Sequence, residues 1–235
     1  MIPPFADHPL IREFNEIKRY FRSHETKESR SRLLQFRNYT RRISESGFDV
    51  AFDFVGSINF GQAISASDVD IVMYLRCPGP CGERCPGICN SHQGAQAELV
   101  STLKNESTAS NTRVYDVQVI DTINLTDLER ALEEGDADSY VLLRFAFYRS
   151  ICRPVNVKIL RPYQKRLVED QKLIETMRPR LRDLFDGLCA TSKHHLSFNK
   201  YQERLAQMGI QIPGIMRAII RRYQEDNSLL PDDPQ

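Results

Sequence analysis

The stretch that decides the fold is FVGSINFGQAISASDVDIVMYL, residues 54–75. Its second half is an apolar run that carries two carboxylates, Asp68 and Asp70, one residue apart. Alternation along a strand places both carboxylates on one face and Val69 and Ile71 on the other. Two like charges this close repel each other unless a cation lies between them. The pattern therefore predicts a strand over 68–75 with a metal site for Mg²⁺ or Mn²⁺, which prefer oxygen ligands.

A Gly-Ser pair, Gly56-Ser57, lies upstream of the two carboxylates. The alternating run 48–55 predicts a strand that ends at Gly56, and Ser57 is placed to cap a short helix over 57–64. Free backbone N–H groups at such a turn bind anions, and glycine lets a phosphate approach the backbone. An anion site beside metal-binding carboxylates suits a nucleoside triphosphate with Mg²⁺.

A third strand is predicted over 113–121, RVYDVQVID. Asp116 lies among apolar neighbours there, as Asp68 and Asp70 do, and is the natural third carboxylate of the site. Asp121 is the runner-up, but it falls on the opposite face at the strand end, where we expect a structural turn residue.

These segments, GSINFGQAISASDVDIVMYL and VYDVQVI, resemble the nucleotidyltransferase superfamily typified by DNA polymerase beta. That family carries Gly-Ser or Gly-Gly, a short gap, Asp-x-Asp or Asp-x-Glu, and a carboxylate on a later strand. Here ten residues separate Ser57 from Asp68, and three carboxylates are present. The resemblance covers about residues 48–121. One departure is that INFG, residues 58–61, stands where minimal members of the family have an arginine.

The resemblance implies roles for five residues. Asp68 and Asp70 would hold both metals, and Asp116 would bind the catalytic metal and help to activate the attacking hydroxyl. Gly56 and Ser57 would hold the β- and γ-phosphates. The implied reaction is in-line attack on the α-phosphorus with loss of pyrophosphate. The acceptor is open among a nucleic acid, a protein and a small molecule.

The resemblance and the periodicity together predict an α+β fold. It would be polymerase-beta-like, with a small mixed sheet and helices on one face. The expected division is N-terminal helices over 1–47, a nucleotidyltransferase-like core over 48–152 and a basic helical C-terminal region over 153–235. Helices are expected over 8–23, 29–46, 93–104, 126–134 and 137–151, a polar loop over 105–112, and a turn over 209–213 between two later helices.

A cysteine-rich loop, CPGPCGERCPGICNSH, covers residues 77–92. Its thiols recur with three intervening residues, and its prolines and glycines exclude a helix. Four such thiols suit a structural Zn²⁺ site. An iron–sulfur cluster, free thiols and disulfides are the alternatives. The four thiols are Cys77, Cys81, Cys85 and Cys89, with His92 beyond them. Cys152 and Cys189, outside the loop, are expected to be buried in helices, and His194-His195 is expected in a surface loop.

Composition and charge bound the function classes. With 41% hydrophobic and 27% charged residues, the chain reads as globular. It has neither an apolar run of about 20 residues nor the layout of a secretory signal, so we expect a cytoplasmic protein with no membrane partner. Residues 49–152 carry a net charge of −8 and residues 153–222 carry +9. Ordinary solvated helix faces would give the same distribution.

The basic region offers cations that would replace the arginine missing after Ser57. The candidates are Arg153, Lys158, Arg217, Arg221 and Arg222. Two other functions stay open. One is a protein with the nucleotidyltransferase fold that binds a nucleotide or a partner without turnover. The other is a nucleic-acid-binding protein that uses the cysteine loop and the basic helices, with the strands as scaffold.

Overall fold

One four-stranded sheet with helices on both faces makes up the part of the chain that the computed structural model describes, residues 3–81, 89–110, 116–189 and 193–226. The strands are β1 (Val50–Phe54), β2 (Val69–Leu75), β3 (Val117–Asn124) and β4 (Arg153–Pro154). The helices are α1 (Pro9–Ser23), α2 (Lys27–Glu45), α3 (Gly56–Asn59), α4 (Asn90–Ser110), α5 (Leu125–Glu134), α6 (Tyr140–Ile151), α7 (Val157–Glu169), α8 (Gln171–Cys189), α9 (Lys193–Gln207) and α10 (Gly214–Asp226).

The sheet has the order β3-β2-β1-β4. β1 pairs antiparallel with β2 and with β4, whereas β2 and β3 are parallel. The predicted α+β class with a small mixed sheet is therefore confirmed. The two-residue strand β4 was not predicted, because so short a segment carries no periodicity.

Helices cover both faces of the sheet. One face presents Phe52, Phe54 and Ile71 to α2 and α4, and all three side chains are fully buried. The other face presents Val72 and Tyr74 to a larger cluster that includes residues of α1 and of α5 to α10. The expectation of helices on one face is wrong. β2 is apolar on both sides, as a strand between two helical layers must be.

Two local predictions are also wrong. The polar segment expected as a loop over 105–112 continues α4 as far as Ser110, because each polar residue costs a helix only tenths of a kcal/mol. Leu99 and Leu103, in the preceding turns of that helix, are buried in the core. His194 and His195 lie in α9 rather than in a loop. No helix in the described part of the chain is long and apolar enough to cross a membrane.

A buried charge cluster joins the sheet to the helical layer on the Tyr74 face. Asp53 on β1 is fully buried and accepts hydrogen bonds from Arg149 on α6 at 2.5 Å and from the Tyr74 hydroxyl at 2.6 Å. Gln164 on α7 accepts a hydrogen bond from Arg149 Nε at 3.0 Å. Burial raises the pKa of Tyr74 well above its usual value, so the phenol keeps the proton that it donates. These contacts fix α6 and α7 beneath the centre of the sheet.

Lys18 on α1 lies at the edge of this cluster with little contact to solvent. Its Nζ donates to the carbonyl of Ile151 at 2.5 Å and lies 5.8 Å from the centre of the Phe14 ring. Burial lowers the pKa of Lys18 from 10.5 to about 8; Cys152 and Asp53 favour its charged form, whereas Arg22 and Arg149 oppose it.

We expect Lys18→Met to remove a pH dependence of stability. Between about pH 8 and 10.5 the unfolded chain holds the lysine proton and the folded chain releases it, so this group makes stability rise with pH. From pH 7.5 to 10, the free energy of unfolding should rise by about 2 kcal/mol more in the wild type than in the variant. Urea unfolding at a series of pH values measures this difference.

The matched control is Lys165→Met, because the Lys165 side chain is 71% exposed. Its difference from the wild type should stay constant over the same pH range. A constant difference for Lys18→Met as well would contradict the prediction.

Candidate functional site

The two carboxylates of the opening stretch lie at the start of β2 on one face. Asp68 directly precedes the strand and is exposed, and Asp70 is partly exposed. Val69 and Ile71 alternate with them and are fully buried on the opposite face. The strand thus turns two carboxylates towards an accessible surface while its other side is anchored in the core, as predicted.

The Gly-Ser turn is built against Asp70. The N–H of Val55 donates to the carbonyl of Asp70 at 2.9 Å, and Gly56 follows with φ of +55°. A Cβ on Gly56 would lie 2.4 Å from Asp70 Oδ2. The left-handed backbone favours glycine here, and an added Cβ would require the Asp70 carboxylate to move. Ser57 is half-buried in α3. This helix has a single turn and is shorter than the helix expected over 57–64.

Contacts with residues of other elements hold helix α3 in place. Asn59 Nδ2 donates to the carbonyl of Ile151 at 3.1 Å. Arg153, one of the predicted cations, donates to the carbonyl of Ile58 at 3.4 Å and forms an ion pair with Glu25. These contacts fix the turn that carries Ser57 next to β2.

The third predicted carboxylate, Asp116, is placed next to Asp68 by the parallel pairing of β2 and β3. The N–H of Val69 donates to the carbonyl of Asp116 at 2.8 Å, and Asp70 is paired with Gln118. Asp116 is exposed and lies just before β3, which begins at Val117. Residues 113–115 of the expected strand lie outside the described ranges. The register thus brings the three predicted aspartates to one end of two neighbouring strands.

The donor chemistry of this end suits Mg²⁺, since carboxylate oxygens are its usual protein ligands. The side chains themselves are not gathered into a ligand set: among the described residues no group of three His, Cys, Asp or Glu side chains is arranged to hold a metal. Asp68 Oδ2 accepts a hydrogen bond from the Gln118 amide at 3.3 Å. The aspartates fit a hard metal by backbone position and by donor chemistry, and Asp68 can keep the Gln118 hydrogen bond on one oxygen while its other oxygen faces a metal.

Asp121 is not the turn residue on the opposite face that the sequence predicted. The pairing shifts between Ile71↔Val119 and Val72↔Asp121, so a bulge moves Asp121 to the face of Val72. There one carboxylate oxygen forms an ion pair with Arg144, and the other accepts from the Tyr148 hydroxyl at 2.8 Å. Both oxygens of this carboxylate are therefore committed to anchoring α6.

Helix α9 contributes residues that the sequence reasoning missed. Tyr201 is buried, and burial raises its pKa to about 12; Ser197 and Arg204 oppose this shift, whereas the negative charge of Asp70 adds to it. Asp70 and Tyr201 are therefore close in space. Arg204 donates to the carbonyl of Gln62 and lies 5.9 Å from the centre of the Tyr201 ring. The spacing of Tyr201 and Arg204 by three residues on a helix was the available signal.

The other predicted cations have partners or surroundings of their own. Arg222 forms an ion pair with Glu13, and Arg221 with Glu225. Lys158 lines a groove between α2 and the start of α7, and Arg217 lines a pocket at the turn between α9 and α10. Of the five, Arg153 is the one for which the structure gives a contact to α3.

The cysteine loop is described at its two ends. Cys77 is buried, while Cys81 and Cys89 are partly buried, and Cys85 lies outside the described ranges. The sulfur atoms of Cys77 and Cys89 are 3.7 Å apart. His92 is buried, and its ring nitrogens lie 3.1 Å from Gln96 Oε1 and 3.3 Å from Thr122 Oγ1.

Two cysteines were expected to be buried in helices. Cys152 is buried, as expected, at the position that caps the end of α6. Burial raises the pKa of its thiol. Cys189 is the last residue of α8, but its side chain lies outside the described part of the structure.

Comparison with models of known families, with curated proteins and with solved structures finds no match to this chain.

We expect Gly56→Ala to destabilise the protein by more than its backbone strain alone. A left-handed non-glycine residue costs about 1–2 kcal/mol, and the new Cβ must also displace the Asp70 carboxylate. Gly135→Ala is the matched control, because Gly135 has φ of +64° and nothing within 4 Å of an added Cβ. Urea unfolding should show a larger loss for Gly56→Ala than for Gly135→Ala.

The excess should disappear when Asp70 is also changed to Ala, since the displaced carboxylate is then absent. Equal losses for the two glycine variants, or an excess that persists beside Asp70→Ala, would contradict this account of the turn.

Proposed function

We propose that the chain is a Mg²⁺-dependent nucleotidyltransferase that transfers a nucleoside monophosphate from a nucleoside triphosphate to a hydroxyl acceptor. The observation that carries the proposal is the contact between Gly56 and Asp70, where a Cβ would lie 2.4 Å from the carboxylate oxygen. It makes the Gly-Ser turn and the Asp-x-Asp strand one structural unit. A polymerase-beta-like arrangement requires this juxtaposition of an anion site and a metal site.

The roles of the carboxylates follow from their placement. Asp68 and Asp70 would hold the metal from one face of β2, and Asp116 would complete the set from the neighbouring strand. Mg²⁺ would neutralise the charge that builds on the phosphoryl oxygens. Asp116, which is exposed, is also positioned to accept the proton of an acceptor hydroxyl that approaches from solvent.

The phosphate groups would lie against the Gly-Ser turn. Ser57 offers a hydroxyl donor there. The acceptor oxygen would form a bond to the α-phosphorus as the bond from that phosphorus to the bridging oxygen breaks. Pyrophosphate would leave with the bonding electrons, and the hydroxyl proton would pass to a carboxylate and then to water.

Arg204 is our candidate for the cation that the family pattern places soon after Gly-Ser. It donates to the carbonyl of Gln62, and the N–H of Gln62 donates to the carbonyl of Ser57 at 2.8 Å. The guanidinium group is therefore close in space to the turn, although it lies far from it in sequence. Its positive charge would favour the triphosphate on that side of Ser57.

A second candidate function is nucleotide binding without turnover. The arrangement of the side chains favours it, because among the described residues no three His, Cys, Asp or Glu groups are gathered to hold a metal. Both functions predict binding of a triphosphate, but only the first predicts pyrophosphate release. The acceptor, whether nucleic acid, protein or small molecule, decides the product.

The test measures binding and release with the same protein. We expect ATP, GTP, CTP or UTP to bind with an affinity that Mg²⁺ increases, measured by titration calorimetry with and without the metal. Asp68→Asn should lower the Mg²⁺-dependent affinity by about 10- to 100-fold or more, because it removes a charged ligand. Its thermal stability should be retained, since it also relieves repulsion between carboxylates.

Asp138→Asn is the matched control, because the Asp138 side chain is 91% exposed and is paired with Arg180. It should bind as the wild type does. Release of pyrophosphate in a coupled assay, lost in Asp68→Asn, supports transfer. Saturable binding without release with nucleic-acid, protein and small-molecule acceptors would favour the second function. Equal Mg²⁺-dependent binding by Asp68→Asn and the wild type would contradict the first function.

A further inference from the structure

We propose that two basic grooves, one on each side of β4, together bind the phosphate backbone of a nucleic acid. The first, the α1 groove, is lined by α1 and the residues around it and has a volume of 830 Å³. The second, the α2 groove, lies between α2 and the start of α7 and has a volume of 490 Å³. The residues that line them do not include the three aspartates of the proposed nucleotide site, so this inference does not depend on the proposed function.

The α1 groove holds three exposed arginines, Arg12, Arg19 and Arg22. Within the described part of the chain, none of their side chains forms an ion pair or a hydrogen bond. Glu16 lies four residues after Arg12 and three before Arg19, the spacing at which helical ion pairs form, but it pairs with neither. Burial and the charge of Arg153 lower the pKa of Arg22, and a bound anion would relieve that repulsion.

The α2 groove gathers cations from two elements. Arg37 and Arg41 are four residues apart on α2, where like charges repel each other, and Lys158 lines the same groove from α7. All three are exposed, and in the described ranges none of them has an ion pair. Three unpaired positive charges in one groove favour a ligand that carries several negative charges.

Other exposed cations of this chain show what an ordinary solvated helix face looks like. Arg221 pairs with Glu225 on α10 at 2.9 Å, and Lys165 pairs with Glu169 on α7 at 3.7 Å. In both cases the acid four residues further along the same helix accepts the cation. The two grooves differ, because their cations stay unpaired even where the helix supplies an acid at that spacing.

The strand β4 joins the two grooves. Glu25, which lines the α1 groove, forms its ion pair with Arg153 on β4, so its charge is already neutralised. Val155 and Asn156, which follow β4, line the α2 groove. An extended chain rises about 3.3 Å per residue, so about 10 Å separates Arg153 from Asn156. One extended polyanion that crosses this edge of the sheet can therefore contact both grooves.

The rest of the lining favours a nucleic acid over a protein or a membrane. Among the described residues that line the two grooves, none is aromatic, and the large exposed apolar side chains of the described chain lie elsewhere. A protein interface has an apolar core, and a membrane-bound helix inserts an apolar face. Cations without apolar anchors suit repeated phosphates, and without rings for bases to stack on they do not read a sequence.

The experiment uses the full chain and fluorescein-labelled RNA of about 20 nucleotides, with EDTA and without nucleotide, in about 50 to 250 mM NaCl. Fluorescence anisotropy gives the affinity at each salt concentration. Each phosphate that is neutralised on a single strand contributes about 0.7 to the slope of log affinity against log salt, so six exposed cations predict a slope of about −4. An RNA of different sequence should bind equally well.

Arg19→Gln and Arg41→Gln place one change in each groove, and each should make the slope shallower by about 0.7. Both residues are exposed, so the fold should be retained, which thermal unfolding checks. Arg19→Lys should keep the wild-type slope, because it keeps the charge. Arg221→Gln is the matched control, since that side chain is 79% exposed and paired with Glu225, and its slope should not change.

Asp68→Asn should bind the RNA as the wild type does, which separates failure of this surface from failure of the nucleotide site. Three results would overturn the proposal. The first is an unchanged slope in Arg19→Gln or in Arg41→Gln, and the second is an equal change in Arg221→Gln. The third is no RNA binding at the lowest salt concentration, whether or not the protein binds phosphatidylserine vesicles instead.

Discussion

The ion pair between Asp53 and Arg149 is the interaction on which the rest of the structure depends. It pairs the fully buried carboxylate of Asp53 on β1 with Arg149 on α6. Tyr74 of β2 donates a second hydrogen bond to Asp53, and Gln164 of α7 accepts one from Arg149. A buried charge that loses its partner costs about 3–5 kcal/mol, so moving α6 away from β1 would leave an unpaired charge in the core. The position of α6 determines where Tyr148 can donate to Asp121 and where Asn59 of α3 can donate to Ile151 at the end of α6.

The proposed site follows from two constraints of backbone geometry. Parallel pairing of β2 with β3 puts Asp116 beside Asp68, and the glycine turn puts Ser57 beside Asp70. Neither constraint involves a metal, so the backbone alone brings these residues to one end of the sheet.

Local pattern was sufficient for part of this structure. The alternation around Asp68 and Asp70 predicted β2 and its exposed carboxylates, because a strand with a buried face has a strict period of two. The same reasoning failed for Asp121, since a one-residue bulge reverses the faces and has no local signal here. The contacts of Tyr201 and Arg204 near the turn, like the approach of Cys77 to Cys89, depend on how distant elements pack, which periodicity does not encode. The fourth strand and the second helical face were missed for that reason as well.

The most direct test of the central claim is a crystal structure of the chain with Mn²⁺ and a non-hydrolysable nucleoside triphosphate, with manganese located by its anomalous scattering. The account predicts a manganese peak coordinated directly by Asp68 and Asp70, with the phosphates against Gly56 and Ser57. A nucleotide bound elsewhere on the chain, with no manganese at these two aspartates, would contradict it.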